Sequence, residues 1–299
     1  MHVFLTGATG LIGQAAARAL LGRGDVVTAL SRSPSAPRTL PPGVRILQGD
    51  PAVAGPWEEE LARCDACVHL AGEPVAEGRW TAEKKLRIRE SRVRSTERVA
   101  AVIAAGGPAV LVSGSAVGFY GSRGDEVLDE AAAPGDGFLS EVCQAWEAAA
   151  APARVQARVV FLRTGIVLSR HGGALPELVR PFKLFAGGPL GRGLFWQPWI
   201  HLADELGLLL FALDEARVEG PLNAAAPEPA LNRDLAAALG RVLHRPALLA
   251  APAAAVKLLA GELASVVLAS QRVVPRKALE LGYRFKFPAL EPALRELLG

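Results

Sequence analysis

Three glycines within the first thirteen residues carry the clearest chemical signal in the chain. In Thr6-Gly7-Ala8-Thr9-Gly10-Leu11-Ile12-Gly13 they follow a short apolar run and open a helix-like stretch. Each serves a purpose that a side chain would obstruct. Gly7 makes a tight turn, Gly10 lets backbone approach a pyrophosphate, and Gly13 lets the helix lie close against the strand. The helix start offers unpaired N–H groups and the positive end of its dipole to phosphate oxygens. Thr9, Leu11 and Ile12 lie inside the turn and count with the glycines as expected ligand contacts. A glycine triplet alone is a weak signal. With a strand before it and a helix after it, at the first βα turn, it predicts a dinucleotide site.

The end of the second strand decides which dinucleotide. An acid there would accept hydrogen bonds from the adenosine ribose hydroxyls and select NAD(H). The chain instead reads Leu30-Ser31-Arg32-Ser33, with an Arg where a 2′-phosphate would lie. Hydrogen bonds to charged groups contribute roughly 1.5–3 kcal/mol each. Ser31 and Arg32 therefore predict NADP(H), favoured by about two orders of magnitude; the competing reading of Arg32 is a solvated surface side chain. Asp50, after Gly49, is expected near the adenine.

Other residues at chemical spacings have plainer explanations. Cys64-Asp65-Ala66-Cys67 has the spacing of a redox pair or half a zinc site, but no second Cys or His pair completes it. The expectation is packing thiols and no metal. His201, in Trp199-Ile200-His201, either faces a substrate or makes a structural hydrogen bond.

The elements that must position these residues alternate between strand and helix. Strands are predicted at Val3–Thr6, Val26–Leu30, Val44–Leu47, Ala66–Leu70, Ala109–Ser113 and Val159–Arg163. Helices are predicted at Leu11–Arg23, Thr81–Ala105 and Phe138–Ala151. The pattern predicts an α/β fold, a Rossmann-type doubly wound parallel sheet, over residues 1–170. Residues 171–299 read as a smaller mixed C-terminal cap region, with 195–225 supplying the last sheet elements. Within it, helices are expected at Leu175–Leu184, Ala203–Ala216, Asn232–Leu243, Pro252–Ala264 and Pro288–Leu298, and a strand at Leu222–Ala224.

Composition limits the partners. With 33 basic and 30 acidic residues the net charge is only +3, too balanced to imply nucleic acid. Apolar runs such as Leu206–Leu213 are too short to span a bilayer. The opening strand in place of a secretory signal predicts a cytoplasmic protein. Basic residues from Arg79 to Arg98 alternate with Glu83, Glu90 and Glu97, which reads as a salt-bridged solvated face or as a subunit interface, such as that of a homodimer.

The glycine spacing resembles that of the extended and atypical short-chain dehydrogenase/reductases. Within them the chain is similar to the NAD-dependent epimerase/dehydratase-like branch called epimerase family proteins, the YfcH-like group. The resemblance rests on His69-Leu70-Ala71-Gly72-Glu73-Pro74, Arg79-Trp80-Thr81, Ser91-Arg92-Val93, Ser115-Ala116-Val117-Gly118-Phe119-Tyr120-Gly121 and Trp146-Glu147. It continues through Leu162-Arg163-Thr164-Gly165-Ile166-Val167-Leu168, Gly187-Gly188-Pro189-Leu190-Gly191, Trp199-Ile200-His201 and the C-terminal Ser270-Gln271-Arg272-Val273-Val274-Pro275, so it spans essentially the whole chain. It implies that Leu70, Ala71, Gly72, Glu73 and Val167 line the cofactor; Arg79 either reaches a cofactor phosphate or is solvated. Glu73 would accept from a ribose hydroxyl, act as a base, or remain a surface carboxylate. The substrate implied is a small molecule, a carbonyl compound or a sugar nucleotide.

The resemblance also implies a Tyr-x-x-x-Lys pair for proton transfer, and this the chain lacks. Four residues after Tyr120 lies Gly124, and four after Tyr283 lies Phe287. Aligned on Trp146-Glu147, Leu139 and Cys143 fall where Tyr and Lys would stand. The remaining catalytic candidates are Ser113 and Ser115, where the family's substrate-polarising Ser sits, and Tyr120 as a substitute acid. Against these stand bland roles: strand-end hydroxyls for the serines and packing for the tyrosine. Two expectations follow, an NADP(H)-dependent oxidoreductase or epimerase-like enzyme with a different proton donor, or a non-catalytic NADP(H) sensor or interaction protein.

Overall fold

The computed structural model describes residues 1–32 and 39–299. Seven strands form one parallel sheet: β1 (His2–Thr6), β2 (Val26–Ser31), β3 (Arg45–Gln48), β4 (Ala66–His69), β5 (Val110–Ala116), β6 (Arg158–Thr164) and β7 (Gly220–Ala224). Their order is β7-β6-β5-β4-β1-β2-β3. The order reverses between β1 and β4, and in sheets of this kind ligands bind outside the strand ends at that switch point.

Alternation along the strands sorts the two faces. Val3 and Leu5 of β1 point into a core shared with Ala16, Ala17 and Leu20 of α1 (Leu11–Gly22). Phe4 points the other way, into a core with Trp57 and Leu61 of α2 (Trp57–Ala62) and Val99 and Ile103 of α3 (Ala82–Ala104). Both faces are covered, as a parallel sheet requires. The Thr81 hydroxyl starts α3 by accepting the Lys84 N–H at 3.1 Å.

Among the described residues, further helices include α4 (Phe138–Ala149), α5 (Leu175–Lys183), α6 (Leu202–Asp214) and α7 (Asn232–Leu243), and the chain closes on one at Leu290–Leu298. The last 130 residues add small sheets that the alternation pattern does not reveal. Ile166–Ser169 pairs with Trp199–His201 and with Gly172–Gly173; Trp196–Gln197 pairs with Ala230–Leu231. Arg272–Val273 pairs with Val127–Leu128, which ties the C-terminal region to the loop before α4. These strands have two to four residues, too few to display a period. The expected helix at Pro252–Ala264 divides into Ala253–Ala260, a tight turn at Gly261–Leu263 and a further turn from Ala264, because Gly261 takes a φ of +57°. Among the described residues no helix is long and apolar enough to cross a membrane.

Candidate functional site

The glycine turn at the C-terminal end of β1 lies against backbone at Gly7 and Gly13. Gly7 has a φ of +68°, and a Cβ there would lie 2.6 Å from the Leu70 carbonyl and 2.8 Å from the Ala71 nitrogen. A Cβ on Gly13 would lie 2.2 Å from the Gly7 oxygen. Gly10 precedes α1 with no side-chain cap, and the first turn of α1 carries no acid. Its N–H groups and positive dipole end are therefore left for an anion. Thr9 and Gly10 are exposed, while Leu11 and Ile12 are half-buried. Leu11 lies under the hairpin at Gly172–Gly173, and Val167 packs with Ile12 against the first core.

A buried hydrogen-bond chain fixes the neighbouring loop after β4. The Ala71 N–H donates to Thr6 Oγ at 3.2 Å, and Thr6 Oγ lies 2.7 Å from His69 Nδ1. His69 Nε2 lies 3.1 Å from Ser95 Oγ, whose hydroxyl donates to the Ser91 carbonyl at 2.7 Å. One assignment satisfies every member: Thr6 donates to Nδ1, and Nε2–H donates to Ser95. Burial pushes the His69 pKa down to about 4, so the imidazole is neutral. The sequence presents His69 only as an odd polar residue in an apolar strand. Its partner on α3 lies 26 residues away.

Glu73 follows this loop and meets two cations, Lys84 Nζ at 2.8 Å and Arg87 Nε at 3.6 Å. The Lys84 hydrogen bond holds its carboxyl below the usual carboxylate range. A depressed carboxylate accepts hydrogen bonds well but makes a weak general base near neutrality. Arg79 is exposed just before α3. Arg92 of α3 reaches back beneath the loop, and its Nη1 donates to the carbonyls of Glu73 and Ile88 at 3.0 Å each.

At the end of β2, Ser31 is buried and Arg32 is exposed. Ser33 lies outside the described residues. Asp50 uses Oδ1 to accept the Ala52 N–H at 2.9 Å and so closes the turn after β3.

The three candidate hydroxyls end in the interior. Ser113 is fully buried, with its hydroxyl 3.3 Å from the Gly114 carbonyl. Ser115 donates to Glu147 Oε1 at 2.7 Å. Tyr120 is fully buried, donates to Asn223 Oδ1 at 2.7 Å and receives Arg163 Nη1 at 2.9 Å. Burial raises its pKa to about 12. Arg163 and Glu147 form a two-pronged pair at 2.8 and 2.9 Å. The guanidinium also lies 3.5 Å from the Phe119 ring centre. Leu139 and Cys143 pack against the turn at Gly118, where a Cβ would meet Leu139 Cβ at 3.3 Å and Cys143 Sγ at 3.7 Å. Burial lifts the Cys143 thiol to about 12, so it is uncharged. Neither position supplies a phenol or an ammonium group.

The remaining residues singled out at chemical spacings have structural surroundings. Cys64 and Cys67 are buried beside α2 and α3, and burial raises both thiols, Cys64 to about 12. His201 accepts the Ala203 N–H on Nδ1 and caps α6; its Nε2 lies 3.0 Å from Glu296, and its ring stacks on Phe287 at 3.9 Å.

A family model described as NAD dependent epimerase/dehydratase family matches residues 3–225. The chain belongs to that family. A second model, a domain of unknown function (DUF1731), matches residues 251–297. The Arabidopsis thaliana epimerase family protein SDR39U1 homolog is 40% identical over all of this chain and 87% of its own length. The crystal structure of human epimerase family protein SDR39U1 with NADPH is 35% identical, covers 100% of this chain and 99% of that one, and superposes with a TM-score of 0.88. MoeE5 in complex with UDP-glucose and NAD has a TM-score of 0.80 at 20% identity and shares the fold alone.

For this epimerase/dehydratase family member, sequence reasoning missed the buried Thr6–His69–Ser95 chain, Glu147 with Arg163, and Glu205. Glu205 of α6 is fully buried and accepts the Thr164 hydroxyl at 2.8 Å. Its Oε2 has no partner among the described residues, and burial raises its pKa to about 8. Glu205 follows Asp204 in an acidic pair at a helix start, which in sequence reads as favourable charge placement at the surface.

Proposed function

We propose that this chain binds NADP(H) in the glycine turn and acts as an oxidoreductase on a small carbonyl substrate or sugar nucleotide without a Tyr–Lys proton relay. The observation that carries the reading is the all-backbone cradle of Gly7, Gly10 and Gly13, in which Cβ atoms at Gly7 and Gly13 would collide with backbone. NADPH in the human relative supports the choice of cofactor, as do Arg32 and the absence of an acid beside it.

In this reading the α1 N-terminus and the Gly7–Gly10 turn hold the pyrophosphate, Ser31 and Arg32 hold the 2′-phosphate, and the Leu70–Glu73 loop lines the nicotinamide half. Bound there, the cofactor supplies hydride chemistry at the nicotinamide ring. Thr6 and His69 keep the loop in place, and the neutral imidazole adds no charge near the cofactor. The Tyr120 hydroxyl is spent on Arg163 and Asn223, so it does not serve as the acid.

One observation favours a second reading, cofactor binding without turnover: Ser113, Ser115 and Tyr120 all sit inside the protein with their hydroxyls directed to protein partners. Labelled NADPH incubated with a panel of carbonyl compounds and sugar nucleotides separates the two. Hydride transfer to any member supports the oxidoreductase reading. Tight binding with no transfer across the panel supports the second, and failure to bind NADPH overturns both.

A further inference from the structure

Two helices of the C-terminal region end side by side, and both end in the same costly way. Among the described residues only Phe185 and His244 take a positive φ without being glycine, +56° and +53°. Phe185 follows the C-cap of α5, where the Ala186 N–H closes back on the Pro181 carbonyl at 2.9 Å. His244 is the C-cap of α7, where the Arg245 N–H closes on the Gly240 carbonyl at 2.9 Å. Glycine is the ordinary residue at a left-handed helix end, and a bulky aromatic there is a clear outlier. The two ends meet. The Arg245 guanidinium lies 4.6 Å from the Phe185 ring centre, and the Leu249 N–H donates to the Gly187 carbonyl at 3.2 Å.

This arrangement leaves apolar side chains in solvent. Leu184 is 71% exposed, Phe185 59%, Leu248 84% and Leu249 59%. The core beneath them is already filled by Val179, Phe182 and Leu239. The charge around the ridge has one sign. Residues 178–203 and 235–261 contain no acid, while exposed Lys183 and Arg245 flank the apolar side chains. Arg241 is balanced by Glu291 at 2.7 Å, but no acid of either segment balances the other two. A second copy of the same face would bring cations against cations. An anionic lipid surface satisfies both halves of the patch: Leu and Phe enter the headgroup boundary, while Lys and Arg meet the lipid charge.

We propose that this ridge docks the protein on an anionic lipid surface, with Phe185 and Leu248 as inserted side chains. The protein lies on the bilayer and does not span it. The inference is independent of the NADP(H) reading.

The test sediments the full chain with vesicles of equal parts phosphatidylcholine and phosphatidylserine, and with vesicles of phosphatidylcholine alone. Wild type is expected to bind the anionic vesicles at least about tenfold more tightly and to release them as salt is raised. Phe185→Gly removes the ring and relieves the left-handed backbone. It is expected to keep or raise Tm while binding falls at least about tenfold. Leu248→Ser is expected to show the same fall without altering a helix end. Lys183→Glu is expected to weaken binding to the anionic vesicles alone. No binding to anionic vesicles, equal binding to both vesicle types, or wild-type binding by both Phe185→Gly and Leu248→Ser overturns the proposal. So does binding to polyglutamate without vesicle binding, which assigns the ridge to an acidic protein. A dimer dispersed by Phe185→Gly, with no vesicle binding, overturns it in favour of a second copy.

Discussion

Gly7 combines two constraints that no other residue type meets together. Its φ of +68° disfavours any side chain, and the Leu70 carbonyl occupies the space a Cβ would need. Gly7→Ala is therefore expected to lose at least about 1–2 kcal/mol of stability and to abolish NADPH binding. Urea unfolding and calorimetric titration check the two effects. In the NADP(H) reading proposed above, Arg32 sets selectivity. Arg32→Asp is expected to weaken NADPH by at least about tenfold and to strengthen NADH, since it exchanges a phosphate partner for a ribose-hydroxyl acceptor. A wild-type preference for NADH would refute the assignment. Arg32 was readable in sequence because its signal is local: a residue type at a fixed distance from a strand. The site residues that were not readable act across the fold. His69 needs Thr6 and Ser95 around it before its position means anything.

Between elements, a two-pronged polar junction joins β6 to α4 through Arg163 and Glu147, with Tyr120 and Asn223 extending it to β7. Arg163 and Glu147 are both largely out of solvent, with side chains 4% and 11% exposed. Removing one partner leaves a buried charge uncompensated. Arg163→Ala is expected to cost about 3–5 kcal/mol, and the double replacement Arg163→Met with Glu147→Met less than that. Chemical denaturation of both variants measures the difference; equal losses would show that the pair itself, not the orphaned charge, sets the cost. The same junction explains the inward hydrogen bonds of Ser115 and Tyr120, the catalytic candidates of the sequence. Hydroxyls at a strand end near the expected substrate are drawn inward here by a carboxylate and a guanidinium, whose partners lie 32 and 43 residues away.

For the whole molecule, two buried titratable groups shape stability against pH. His69 has a folded pKa of about 4, below its ordinary 6.5. The unfolded chain binds the extra proton between those values, so this contribution is full above pH 6.5 and is lost as pH falls toward 4. Glu205 is shifted the other way, from 4.5 to about 8. Here the folded state keeps the proton, so its contribution is full below pH 4.5 and is lost as pH rises toward 8. Between pH 6.5 and 8 only Glu205 of this pair still acts. Wild-type Tm is expected to fall across that window, and Glu205→Gln to flatten the fall. An equal slope in the variant would assign the effect elsewhere.

The sequence by itself determined the parallel α/β frame, the glycine cradle and the likeness to the epimerase family. Each is written in short-range pattern: alternation along β1 that sends Val3 and Leu5 one way and Phe4 the other, Gly spacing at one turn, motifs a few residues long. It also showed that no Tyr-x-x-x-Lys pair exists, since that pair is itself a local spacing. Only the tertiary structure decided where Ser113, Ser115, Tyr120 and Glu73 spend their hydrogen bonds, which histidine is buried neutral, and which cation lies beneath the loop after β4. Those outcomes depend on partners from separate strands and helices. Burial and charge act through space, and the chain alone does not record which distant residues will meet.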